Sequence, residues 1–156
     1  MARILVIDDD ETYRSILRSF IEEKGHTAIE AGGADAALKV FMEEKVDLVI
    51  SDLIMPEKSG MDLLRELRGI NPKVLFIMVT GYPAVDTATA AMREGAFDYL
   101  AKPINMDQLA AVMHRALSTI ELRTHLSTMR GVNVALLISI PFWILIGILV
   151  RAFVLH

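Results

Sequence analysis

Residues 4–10 read Ile-Leu-Val-Ile-Asp-Asp-Asp: four aliphatic side chains, then three carboxylates with nothing between. An apolar run that ends so abruptly is the pattern of a strand buried on both faces. The pattern returns along the chain. Val46–Ser51 ends at Asp52, Val74–Val79 ends at Thr80-Gly81, and Phe97–Leu100 runs into Lys102-Pro103. His26–Glu30 is a further short strand. Between them Tyr13, Ile16, Leu17, Phe20 and Ile21 recur at helical spacing, with Gly25 as a stop. Helices are expected over Asp35–Glu44, over Gly60–Leu67 after the break at Met55-Pro56, over Ala84–Glu94 before Gly95, and from Asp107 to about Leu122. Strands alternating with helices predict an α/β fold, a parallel sheet covered by helices on both faces, because parallel neighbours need a crossover. Binding sites in such sheets lie at the carboxyl ends of the strands. Asp8, Asp9, Asp52, Thr80 and Lys102 all fall there.

Composition narrows the function. The chain has 156 residues, is 53% hydrophobic and has a mean hydropathy of +0.42. All 20 acidic residues and 14 of the 16 Lys/Arg lie in 1–125, giving that region a net charge of −6. An acidic globular part argues against a non-specific nucleic-acid binder, and no helix–turn–helix or basic stripe is visible. The absence of cysteine excludes a disulfide scaffold, a thiolate metal site and a cysteine nucleophile. The apolar surplus excludes a disordered chain.

Each strand-end residue has an ordinary reading when taken alone. Asp-Asp-Asp-Glu after a strand is a turn and a helix N-cap. Asp52 before Met-Pro is a turn residue, and Lys102-Pro103 is an exposed loop. Their joint placement at four strand ends is what makes a site. Clustered carboxylates recruit a hard cation, and Mg²⁺ takes one or two carboxylates plus phosphate oxygens. A compact lysine charge and a threonine hydroxyl complete a set suited to an incoming phosphoryl group. His26, His114 and His125 are isolated, without metal-ligand spacing.

The segments ILVIDDDETYR, DLVISDLIMPEKSGMDLLRELR and VLFIMVTGYPAVDTATAAMREGAFDYLAKPI, with the helix that follows, resemble a receiver domain of two-component response regulators over residues 2 to about 122. TGYP and GAFDYLAKP are closest to receivers of the nitrogen-regulation type. The resemblance implies a flavodoxin-like, doubly wound sheet of five strands in the order 2-1-3-4-5. It makes the chain a phosphoacceptor rather than an enzyme, with Asp52 taking the phosphoryl group from a sensor histidine kinase or a phosphotransfer protein. Asp9, Asp52 and the backbone carbonyl of Ile54 would hold Mg²⁺, or Mn²⁺ in its place, with Asp8 acting through a water. Lys102 would pair with the phosphoryl group, Thr80 and Tyr99 would be the switch pair, and the Lys102-Pro103 bond would be cis. The Ala84–Glu94 helix, the Phe97–Leu100 strand and the last helix (helix 4, strand 5 and helix 5 of the expected order) would form the switched surface, controlling a partner or a homodimer. Two alternatives remain: a phosphate sink without output, and a haloacid-dehalogenase-like phosphohydrolase. In the second, Asp8-x-Asp10-x-Thr12 would supply the nucleophile Asp8 and the acid/base Asp10.

The carboxyl-terminal part reads differently. From Gly131 to Val150 twenty residues carry no charge, and thirteen of them are Val, Leu, Ile or Phe. A helix of that length spans roughly 30 Å, the thickness of a bilayer's hydrocarbon core. Pro141 would kink it, which membrane helices tolerate. The chain therefore divides into a receiver over 1–123, a linker over 124–130 and an apolar helix over 131–155, expected as a transmembrane anchor or an oligomerisation helix. The phosphodonor and Mg²⁺ would then require the receiver to face the cytoplasm, anchored to the inner membrane, and Arg115, Arg123 and Arg130 before the span against Arg151 after it agree with that. A soluble cytoplasmic protein is the alternative.

Overall fold

The computed structural model describes residues 1–120, 122 and 151. The chain divides into two compact units, Met1–Leu117 and Ser118–His156. The first contains the whole sheet. Its elements are β1 (Arg3–Ile7), α1 (Glu11–Glu23), β2 (Thr27–Ala31), α2 (Ala34–Glu43), β3 (Leu48–Asp52), α3 (Gly60–Ile70), β4 (Leu75–Thr80), α4 (Val85–Glu94) and β5 (Asp98–Ala101). A last helix, α5, starts at 106 and is described as far as 120. In the second unit the described residues 118–120, 122 and 151 are helical.

The five strands are parallel in the order β2-β1-β3-β4-β5, as expected. Every residue of β3 and of β4 is buried, the signature of central strands covered on both sides. Alternation sorts the apolar residues between the faces. Leu5, Ile7, Val49, Phe76 and Met78 pack with Ala37, Leu63, Leu64 and Leu67 of α2 and α3 in one cluster. Ile4, Val6, Leu48, Ile50 and Ile77, equally buried, point the other way. Leu17 and Ile21 of α1, and Leu109, Val112 and Met113 of α5, are likewise buried.

Local chemistry sets the helix ends. The Asp10 carboxylate accepts from the amides of Thr12 (2.9 Å) and Tyr13 (3.2 Å) and so caps α1. Ser59 Oγ accepts from the Asp62 amide and caps α3. Gly95 ends α4 in the left-handed region at φ +95°. Strand and helix limits fall within a few residues of the expected ones, and the Lys102-Pro103 bond is cis.

The transmembrane anchor needs correcting. Among the described residues no helix is long and apolar enough to cross a membrane. The apolar run over 131–155 is the stretch expected as a transmembrane anchor or an oligomerisation helix. It falls, with the linker over 124–130, outside the described residues apart from Arg151. His125 also lies outside them.

Candidate functional site

Strand register brings the charged residues together. Ile7 pairs with Ser51, and the next residue on each strand is Asp8 and Asp52. Asp52 pairs with Val79 and Thr80 with Ala101, so Thr80 and Lys102 sit at the next two strand ends. Carboxylate oxygens of Asp8, Asp9 and Asp52 lie within 4.8 Å of one another. Asp8 is 2% and Asp52 8% exposed, whereas Asp9 faces solvent. The triple aspartate thus splits three ways: Asp8 inside, Asp9 at the mouth, Asp10 on the helix cap.

Two buried carboxylates side by side require compensation. Lys102 Nζ supplies it, donating at 2.6 Å to Asp8 Oδ2 and at 2.6 Å to Asp52 Oδ2. The remaining oxygens accept backbone amides, Asp8 Oδ1 from Asp10 (2.9 Å) and Asp52 Oδ1 from Ile54 (3.1 Å). Burial works against the Lys102 charge, but the hydrogen bonds to Asp52 and Asp8 and their charges outweigh it, so its pKa is raised. Arg14 Nη1 donates to the Asp8 carbonyl at 2.6 Å and ties down the acidic turn.

Thr80 is fully buried; its Oγ1 accepts from the Tyr82 amide at 3.1 Å, and its carbonyl accepts from the Lys102 amide at 2.7 Å. Tyr99 is half-buried on β5, beside the main apolar cluster. Its hydroxyl lies 2.9 Å from Thr87 Oγ1 on α4. The Thr87 hydroxyl donates to the Ala84 carbonyl, so in that pair the Tyr99 O–H donates.

Four residues of the site were not singled out by the sequence. Tyr13 lays its ring under Lys102, Arg14 holds Asp8, and Thr87 holds Tyr99. Gly60 opens α3 against the end of β3; a Cβ there would lie 2.2 Å from the Asp52 carbonyl oxygen.

The donors are hard oxygens, one of them open to solvent, and fit a divalent cation such as Mg²⁺. The sequence matches the response regulator receiver domain over residues 4–114. The chain belongs to that family. It is 36% identical over 115 residues to the transcriptional regulatory protein ZraR of Escherichia coli (strain K12), covering 74% of this chain and 26% of that protein. It is 34% identical over 118 residues to the DNA-binding transcriptional regulator NtrC of Azospirillum brasilense, covering 76% and 24%. The chain therefore spans about a quarter of the length of these curated relatives. Among solved structures, a response regulator receiver domain protein from Clostridium thermocellum superposes with a TM-score of 0.75 at 38% identity, covering 78% of this chain and 98% of that one. Receivers of response regulators work with histidine kinases and bind Mg²⁺ at an acidic cluster, and this receiver is similar to those of nitrogen-regulation-type proteins. Asp10, expected as acid/base in the phosphohydrolase alternative, has its carboxylate taken up by α1 amides.

Proposed function

We propose that Asp52 is the phosphoacceptor of this receiver, within a domain of residues 1–123. The observation that carries the reading is the Lys102 ammonium shared by Asp8 and Asp52 at the strand ends, with Asp9 alongside. A carboxylate oxygen of Asp52 attacks the phosphorus of a phosphohistidine, on a histidine kinase or a phosphotransfer protein. The P–N bond breaks, and the imidazole leaves and takes up a proton. Lys102 follows the charge onto the phosphoryl oxygens, and the Thr80 hydroxyl donates to one of them. Asp8, Asp9, Asp52 and the Ile54 carbonyl would hold Mg²⁺ or Mn²⁺, which neutralises charge on the same oxygens when bound. The Thr80 movement passes to Tyr99, whose hydroxyl is tied to α4 through Thr87, and so to the surface of α4, β5 and α5. That surface controls a partner or pairs with a second copy.

The test is labelling by a small acyl phosphate. Wild type should be labelled with Mg²⁺ and not in excess chelator, and Asp52→Asn should not be labelled. Label that persists in Asp52→Asn, or is indifferent to chelator, refutes the assignment. Thr80→Ala should be labelled yet fail to populate the switched conformation in relaxation-dispersion NMR; an unchanged population removes Thr80 from the switch.

A further inference from the structure

We infer that Tyr13 is a positioning residue for Lys102, holding its ammonium over the acidic cluster with the face of its ring; this rests on the assignment of Asp52 and Lys102 given above. Lys102 Nζ lies 4.4 Å from the centroid of the Tyr13 ring. That is well inside the range over which a ring quadrupole attracts a cation, and the site is partly desolvated, where the attraction is strongest. Tyr13 stands in the first turn of α1, directly after the turn that carries Asp8 and Asp9. One short segment thus supplies the anions and the ring that frame the cation.

The ring does this, not the hydroxyl. The Tyr13 hydroxyl is buried beside the Ile104 backbone but makes no hydrogen bond of normal geometry. Its pKa is raised, chiefly by burial, so it stays neutral and adds no charge to the cluster at ordinary pH.

The ring also offers what the carboxylates cannot. Asp8 and Asp52 are the present partners of the ammonium, but they are also the oxygens that a cation and the phosphoryl group would claim. The lysine stem is flexible, and losing those partners would free it to leave. The contact with Tyr13 is not consumed by either event. It keeps Lys102 in place while its partner changes from a carboxylate to a phosphoryl oxygen.

The experiment compares Tyr13→Phe, Tyr13→Leu and Tyr13→Met with wild type. Three quantities are measured: the rate of labelling by acyl phosphate with Mg²⁺, the ring-current shift of the Lys102 ε-protons in metal-free protein, and the urea midpoint. Tyr13→Phe should keep the ring-current shift and label within about twofold of wild type, since the cation–ring attraction survives. Tyr13→Leu and Tyr13→Met should lose the shift and label roughly tenfold more slowly, the size of a partly desolvated cation–ring contact. A folded Leu or Met variant that labels at the wild-type rate overturns the inference. If neither aliphatic variant folds, Tyr13→Phe decides, and a roughly tenfold loss there overturns it equally. Asp52→Asn, run in parallel, separates the layers: persistent label there sinks the site assignment itself, whereas an unlabelled Asp52→Asn beside a fast Tyr13→Leu sinks only the role of the ring.

Discussion

Gly60→Ala adds one methyl group to a residue whose place is set by backbone on the other side. The new Cβ would lie 2.2 Å from the Asp52 carbonyl oxygen, and 3.0 Å from both Leu53 Cα and Met78 Sδ. Met78 can turn aside, but the Asp52 carbonyl is backbone at the end of a fully buried strand. Relief therefore requires α3 or the end of β3 to move by about an ångström, and overpacking of this kind costs about 1–3 kcal/mol. The Gly60 amide also donates to the Leu53 carbonyl at 2.9 Å, so moving the helix start weakens a bond as well. With a urea slope of about 1–3 kcal/mol per molar, the midpoint should fall by about 1 M at unchanged slope. Because the displaced peptide is that of Asp52, labelling by acyl phosphate should slow along with the loss of stability. Gly69→Ala is the control. It lies in the same helix with nothing within 4 Å of the added carbon. There alanine should stabilise by about 0.5–1 kcal/mol through helix propensity alone, leaving labelling unchanged. A Gly60→Ala protein with the wild-type midpoint and labelling rate would refute the close approach of α3 to the end of β3.

Two further outcomes follow from the same geometry. Asp10→Ala removes the two bonds that cap α1 and should cost about 1 kcal/mol in urea unfolding while Asp52 is still labelled; loss of label would instead place Asp10 in the chemistry. Lys102 and Tyr13 both have raised folded-state pKa values, so the folded protein binds those protons more tightly than the unfolded chain. Their contribution is complete below about pH 10 and is lost as pH rises through the folded values. In metal-free buffer, urea midpoints should hold up to about pH 10 and decline above it, and the decline should be shallower in Lys102→Met. An equally steep decline in that variant would show that Lys102 gains no proton affinity on folding.

The architecture was legible because its signal is local. Runs such as Ile4–Ile7 and Leu75–Val79 can be satisfied only between two layers, and the polar residue ending each run marks the mouth of the sheet. The charged members of the site were legible for the same reason: Asp8, Asp52 and Lys102 end or follow strands whose pairing is fixed by the apolar pattern. Tyr13 was readable only as an apolar position of α1, since nothing in its spacing says that its ring meets a lysine from the far end of the domain. Gly60 looked like an ordinary helix start, because the atom that forbids a side chain belongs to another element. Thr87 lies on a helix face where threonine is unremarkable until Tyr99 is set opposite it. The hydropathy of 131–150 is a signal of a different kind. It measures how apolar a stretch is and says nothing of what covers it, so it could not by itself justify a membrane span.

The cation of the site and its first anion are 94 residues apart in the chain, and the second anion is 50 residues from the cation. Lys102 follows the last strand of the sheet. Long-range closure of this kind costs chain entropy before the contact is gained. The addition of β5 therefore completes the electrostatic balance and the strand ladder together. A nascent or nicked chain that stops short of residue 102 carries both carboxylates but lacks their cation. The charge balance of the strand-end carboxylates thereby becomes a readout of a finished sheet.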